Sequence, residues 1–120
     1  MDKLEQSQKF LERMERYADD VNDLCKQVPF NSVTKEIVDQ LTRSSSSPAA
    51  NYIEALESLS KRDFYFRIRI CRKESREAGF WLRRLGNACS QLKEKCIKLE
   101  AESREYVLIF SKILSKYSNE

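Results

Sequence analysis

Apolar side chains recur in alternating steps of four and three residues along most of this 120-residue chain. This spacing places them on one face of a helix. One such series spans Phe10 to Leu24, and another spans Leu92 to Tyr117. Because Gly and Pro number only two each, the chain lacks the turn residues that an all-β fold requires. The pattern therefore predicts an all-α protein.

The apolar series predict four helices within a single domain over residues 1–120. Asn31 or Ser32 can cap the second helix, and Ser60 with Asp63 forms a capping-box-like start for the third. Gly86 supplies a stop for the third helix. Short connections make neighbouring helices antiparallel, which predicts an up-and-down antiparallel four-helix bundle. We expect helices at about residues 4–27, 32–58, 61–85 and 90–118.

Two segments allow more than one interpretation. The run of four serines from Ser44 and the following Pro48 resemble a loop or linker. Small side chains here also suit close helix contact, with serine hydroxyls bonding to carbonyls that Pro48 frees. Residues 64–70 alternate like a strand, but helical spacing continues from Phe64 to Leu85 and favours a helix.

Several classes of protein are excluded by composition. No run of about 18 apolar residues exists to span a bilayer, and the first ten residues lack the apolar region of a signal peptide. We therefore expect a cytoplasmic protein without a membrane partner. The four cysteines have no C-x-x-C pair and no histidine accompanies them, so we expect neither a metal nor a cofactor. Buried, reduced thiols are the simpler interpretation of Cys25, Cys71, Cys89 and Cys96.

Catalysis has little support in the sequence. The absence of histidine removes the commonest general base, and we expect a protein that is not an enzyme. Glu54, Glu74 and Glu77 are the carboxylates that an enzyme hypothesis would use, because acids on facing helices can meet. Ion pairing at the surface or between subunits is the simpler role for them.

Positive charge is concentrated in the third predicted helix. Residues 1–60 carry 7 basic and 11 acidic side chains, whereas residues 61–85 carry 9 basic and 3 acidic. Four arginines of this helix are spaced by seven residues, so they form a row with about 10 Å between neighbours. A row of guanidinium groups suits a phosphate backbone, of RNA or of DNA, and an interleaved tyrosine suits base or sugar contact. We predict a nucleic-acid interface made of Arg43, Lys61, Arg62, Tyr65, Arg69, Arg72, Arg76 and Arg83.

Other roles for this row remain open at the level of sequence. It is also consistent with a solvated face, with an acidic protein partner, or with ion pairs to acids of the first helix. Those acids are Glu12, Glu15, Asp19, Asp20 and Asp23.

A second apolar face lies on the same helix, formed by Phe66, Ile70 and Trp81. A bundle monomer buries one stripe per helix, so a second stripe predicts a subunit interface with Trp81 as its anchor. The alternative is a wide core seam that contains all three side chains.

The second and third helices also match a known pattern. They read QLTRSSSSPAANYIEA from Gln40 and SKRDFYFRIRICRKESREAGFWLRRL from Ser60. The residues that match in fixed order are Gln40, Leu41, Arg43, Ser44, Ser47, Ala50, Asn51, Glu54, Ala55, Ser60, Lys61, Asp63, Phe64, Lys73, Glu74, Glu77, Trp81 and Leu82. In these residues the chain resembles a family of bacterial four-helix-bundle proteins encoded in intervening sequences of 23S ribosomal RNA genes. That family includes the accessory protein of diversity-generating retroelements.

The resemblance implies a helix that continues through Pro48 and a ring-like homo-oligomer, with a pentamer favoured. It also implies nucleic-acid binding in partnership with a reverse transcriptase. We therefore expect a non-enzymatic, nucleic-acid-binding homo-oligomer. The alternative is a homo-oligomeric protein scaffold that binds no nucleic acid.

Overall fold

Four α-helices make up the residues that the computed structural model describes, which are residues 2–118. No strand occurs in this part of the chain, so the predicted all-α class is confirmed. None of the four helices combines the length and the apolar character needed to cross a bilayer. The helices are α1 (Lys3–Lys26), α2 (Ser32–Leu56), α3 (Lys61–Ala88) and α4 (Lys93–Ser118), with a 3₁₀ turn at Ser90–Leu92 before α4.

Side-chain caps begin the second and third helices. Asn31 and Thr34 form a capping box, in which the side chain of each accepts a hydrogen bond from the backbone amide of the other at 3.0 Å. The Ser60 hydroxyl accepts a hydrogen bond from the Asp63 amide at 3.1 Å. Both caps satisfy amides that have no partner within the helix, so α2 and α3 begin at these residues.

Neighbouring helices run antiparallel, because rising residue numbers on one helix meet falling numbers on the next. Across α2 and α3, Arg43 pairs with Glu74, and Arg67 donates a hydrogen bond to Asn51. Contacts across the other helix pairs have the same opposed order: Arg72–Ser111 and Arg83–Glu100 between α3 and α4, and Phe10–Phe110 and Lys95–Gln27 between α1 and α4. The four helices therefore pack in an up-and-down order, with α3 in contact with α2 and α4.

The serine-proline segment is part of α2, which runs through Pro48 without a break. The Ser44 and Ser45 side chains are buried against the neighbouring helices. Their hydroxyls donate to the carbonyls of Leu41 and Thr42, one turn back, rather than to the Ser44 carbonyl that Pro48 leaves without its amide partner. The interpretation as a linker is therefore wrong. The expectation that serine hydroxyls bond to the carbonyl freed by Pro48 is also wrong for Ser44 and Ser45.

The third helix extends three residues beyond its predicted end, to Ala88. Gly86 does not terminate it, because no residue in the described range adopts a left-handed backbone conformation. Instead, a Cβ built on Gly86 would lie 3.3 Å from the Cys96 Cβ of α4. Gly86 thus permits close helix packing and does not act as a stop.

The core lies between the helices around two fully buried residues of α4, Tyr106 and Phe110. Phe10 packs against both rings from α1, with centroid distances of 5.7 and 5.5 Å. The cysteines are unpaired, and three of them are buried in this core. Burial raises the pKa of the Cys71 thiol to about 12 and that of Cys96 to about 11. Such thiols behave as small apolar core residues.

Candidate nucleic-acid interface

Three arginines stand in a row along the exposed side of α3. Arg62, Arg69 and Arg76 are exposed and form no ion pair or hydrogen bond with the side chains of residues 2–118. Arg83 continues the row, and we call these four residues the arginine face. A guanidinium group that lacks an intramolecular partner keeps its full charge for an external anion. The seven-residue spacing of these arginines therefore places a cationic surface along much of α3.

A groove of about 700 Å³ opens along this surface. One carboxylate, that of Glu77, is in its lining and is outnumbered there by five cationic side chains. Phe80 supplies the aromatic part of the lining. The complete lining is Arg69, Arg72, Lys73, Arg76, Glu77, Phe80 and Arg83. A concave surface lined by one sign of charge concentrates field lines and attracts polyanions.

Two of the predicted cations are partly occupied by contacts to α4. Arg83 Nη1 lies 2.5 Å from Glu100 Oε2, and Arg104 Nη2 lies 3.2 Å from the other oxygen of that carboxylate. Arg72 Nη1 donates a hydrogen bond to the Ser111 hydroxyl at 3.3 Å. The side of the interface that faces α4 is therefore weaker as an anion site than the side with Arg69 and Arg76.

Pairing with the acids of α1 does not occur, because α1 packs between α2 and α4 and α3 packs on the other side of both. The α1 cation Arg13 pairs instead with Glu102 and Glu105 of α4, at 2.7 and 2.9 Å. This arrangement removes the alternative in which α1 neutralises the arginine row.

Arg43 forms ion pairs that the sequence did not predict. Its guanidinium forms ion pairs with Glu74, at 3.0 Å, and with Glu77, so it connects α2 to α3. Glu74 is buried, and its charge requires this partner. These ion pairs leave Arg43 less available to a phosphate than the unpaired arginines of α3. Lys61 is the first residue of α3 and is exposed at the opposite end of that helix from Arg83.

Tyr65 does not lie on the arginine face. Only 8% of the residue is exposed, and its ring packs against Phe64 and Tyr117 with centroid distances of 5.2 and 4.6 Å. Helical spacing alone placed Tyr65 beside the arginines. The approach of α4 covers that edge of the helix, so the predicted base contact by this tyrosine requires correction.

The predicted subunit interface is divided between core and surface. Phe66 is 57% exposed, Ile70 is half-buried, and Trp81 packs against the core of its own chain. The Trp81 indole also donates a hydrogen bond to Glu77 at 3.2 Å. Of the three side chains, Phe66 is therefore the most exposed, whereas Trp81 packs against the core, as the wide-core alternative expected.

Two residues of the groove were missed at the level of sequence, Lys73 and Phe80. Their positions contain a signal, since Phe66, Lys73 and Phe80 are spaced by seven residues and share one face of α3. The row from Phe66 is thus parallel to the arginine row, and it brings a cation, Lys73, and an aromatic ring, Phe80, into the groove.

The carboxylates of the enzyme hypothesis do not converge into one site. Glu74 and Glu77 meet around Arg43, whereas Glu54 is exposed on α2 and forms no ion pair with the described side chains. In that same range, no cluster of His, Cys, Asp or Glu is placed to hold a metal ion.

A second groove, of about 540 Å³, lies between α1 and α4. Its lining mixes cations such as Arg16 and Lys98 with acids such as Asp20 and Glu102. The lining holds four cations and three acids, so most of its charge cancels and it attracts a polyanion less strongly than the groove along α3. The groove along α3 is the stronger candidate site.

No family model matches this amino-acid sequence, and no curated protein matches it significantly. In three dimensions, the chain is similar to a protein of unknown function from the S23 ribosomal protein family of Bacteroides thetaiotaomicron. The TM-score is 0.78 and the sequence identity is 23%, and the alignment covers 91% of this chain and 97% of that chain. The likeness therefore concerns the helical fold over nearly the whole length.

Proposed function

We propose that this protein binds nucleic acid through the arginine face of α3, as a homo-oligomer and without catalysing a reaction. The observation that supports this proposal most directly is the groove in which five cations accompany a single carboxylate. Arg69 and Arg76 at its centre have no partner among the described side chains. Binding to phosphates would replace only water and counterions at these two residues.

Reversal of the two central charges tests the proposal. In the variant Arg69→Glu with Arg76→Glu, we expect loss of binding to labelled RNA and DNA, because both phosphate contacts become repulsive. For wild type, we expect the affinity to fall about 50- to 150-fold between 50 and 200 mM salt if four phosphates are contacted. Fluorescence anisotropy measures both quantities.

The matched control is Lys9→Glu with Lys112→Glu. It changes the net charge of the protein by the same amount as the test variant, but on α1 and α4 instead of α3. Both lysines are exposed and form no ion pair with residues 2–118. Retained binding by this control identifies α3 as the site. Equal loss in both variants would instead indicate attraction by net charge alone, and retained binding by the Arg69/Arg76 variant would contradict the proposal.

The homo-oligomer is the second part of the proposal. Phe66 supports it, because burial of this exposed apolar side chain by a second subunit would lower the free energy of the assembly. A ring of five subunits, implied by the resemblance described above, would use this face. The scaffold alternative keeps the oligomer but lacks salt-sensitive binding of nucleic acid, so the anisotropy experiment distinguishes the two functions.

The partnership with a diversity-generating retroelement reverse transcriptase is the most specific part of the proposal. It predicts co-purification of this protein with a reverse transcriptase encoded beside its gene. A gene neighbourhood without any reverse transcriptase would contradict that part and leave nucleic-acid binding intact.

A further inference from the structure

Phe80 is exposed to solvent in the lining of the cationic groove. It is 44% exposed, and it lies one helical turn from Arg76 on one side and from Arg83 on the other. A phenyl ring offers no hydrogen bond to water, and its exposure adds nothing to the stability of the fold. Phe80 therefore provides an apolar surface where phosphate-binding groups surround it.

The ring of Phe80 is held in place by contacts that extend to another helix. It packs edge-to-face with Trp81 at a centroid distance of 4.8 Å and an interplanar angle of 75°. The Trp81 indole donates to Glu77, and Glu77 pairs with Arg43 of α2. A ring that is already ordered loses little conformational freedom when a ligand packs on it.

We propose that Phe80 stacks on an unpaired base, so that the groove selects single-stranded nucleic acid over duplex. This inference rests on the function proposed above. Stacking on an aromatic ring is available only to a base that is not already stacked in a duplex, and it tolerates any sequence. Arg76, which has no partner among the described side chains, would hold the phosphate next to that base.

The variant Phe80→Leu tests the inference, because leucine keeps the apolar character and removes the aromatic face. We expect the affinity for 20-nucleotide oligo(dT) and oligo(U) to fall about tenfold, and that for a 20-base-pair duplex to change less than twofold. The separate variant Phe80→Tyr keeps the aromatic face and should bind single strands as tightly as wild type. Phe30→Leu is the control, since Phe30 is an exposed phenylalanine in the loop between α1 and α2, outside the groove.

A measurement on the wild-type chain covers the case in which Phe80→Leu does not fold. Trp81 is the sole tryptophan and contacts the Phe80 ring, so stacking should change its fluorescence. We expect saturable quenching by single strands and none by duplex at equal phosphate concentration. Binding of single strands without quenching would overturn the inference.

The outcomes separate the inference from the proposed function. If Phe80→Leu weakens single-strand and duplex binding equally, or leaves both unchanged, stacking is wrong while the arginine face remains the site. If wild type binds duplex more tightly than single strands, the selectivity is wrong. If wild type binds neither in a salt-sensitive way, the proposed function itself fails.

Discussion

Glu102 is the residue through which α1 and α4 are most directly connected. Its carboxylate accepts hydrogen bonds from Arg13, at 2.7 and 2.9 Å, and from the Tyr106 hydroxyl at 2.6 Å. The hydrogen bonds from Arg13 hold the pKa of Glu102 below its usual value of 4.5, and the one from Tyr106 acts in the same direction. These three residues, Arg13, Glu102 and Tyr106, which we call the clasp, connect α1 to α4.

Replacement of this carboxylate should make stability less dependent on pH. A carboxyl group whose pKa is lower in the folded state stabilises that state above its unfolded pKa, and this contribution is lost as the pH falls through the folded pKa. We expect Glu102→Gln to lower the free energy of unfolding by about 1–3 kcal/mol at pH 7. The difference from wild type should shrink below pH 4.5, as measured by urea denaturation across that range.

Glu12→Gln is the control for this prediction, because Glu12 is exposed on α1 and forms no ion pair with the described residues. It should change the free energy of unfolding by less than about 0.5 kcal/mol. A difference between Glu102→Gln and wild type that is the same at pH 3 and pH 7 would show that the clasp is not the source of acid sensitivity.

At the scale of elements, α3 combines close packing on one side with a binding surface on the other. Gly79 and Gly86, seven residues apart, face Ser103 and Cys96 of α4, which are also seven residues apart. A Cβ at Gly79 would lie 3.1 Å from the Ser103 hydroxyl. The small residues allow α4 to approach closely, and this approach buries the Tyr65 edge of α3.

Enlargement of this contact should destabilise the bundle. We expect Gly79→Leu to lower the free energy of unfolding by about 1–3 kcal/mol, because extra atoms enter a packed interface. Ala101→Leu, on the exposed side of α4, should have little effect. Thermal denaturation followed by circular dichroism measures both variants, and equal melting temperatures would contradict the close packing of α3 on α4.

For the whole molecule, charge is distributed unequally among the helices. The acids of the first half are mostly on α1 and α2, whereas α3 presents the arginine face and Phe66. In the homo-oligomer proposed above, a subunit contact through Phe66 has to leave the arginine face of α3 exposed for nucleic acid.

The mass in solution tests this arrangement. We expect Phe66→Glu to reduce the assembly to the 14.2 kDa monomer, because a carboxylate would be buried in the subunit contact. Leu108→Glu, at an apolar residue of α4 that is 65% exposed, should leave the mass unchanged. Size-exclusion chromatography with light scattering gives the mass, and equal masses for wild type and Phe66→Glu would exclude Phe66 from the interface.

Much of this architecture follows from local periodicity. The angle of a side chain around its own helix depends only on residue number, at about 100° per residue, so the core series and the row of Arg62, Arg69 and Arg76 are visible in the sequence. The caps at Asn31 and Ser60 are equally local, since each bonds an amide three residues away.

What periodicity does not contain is the position of the neighbouring helix. Arg43 and Arg83 each meet an acid on another helix, and Tyr65 is covered by the end of α4. These contacts depend on the rotation and register of packed helices, which are set by contacts between residues distant in the chain, such as the close approach of Gly79 to Ser103. Only the folded structure therefore distinguishes the arginines that remain free for a ligand from those that hold the bundle together.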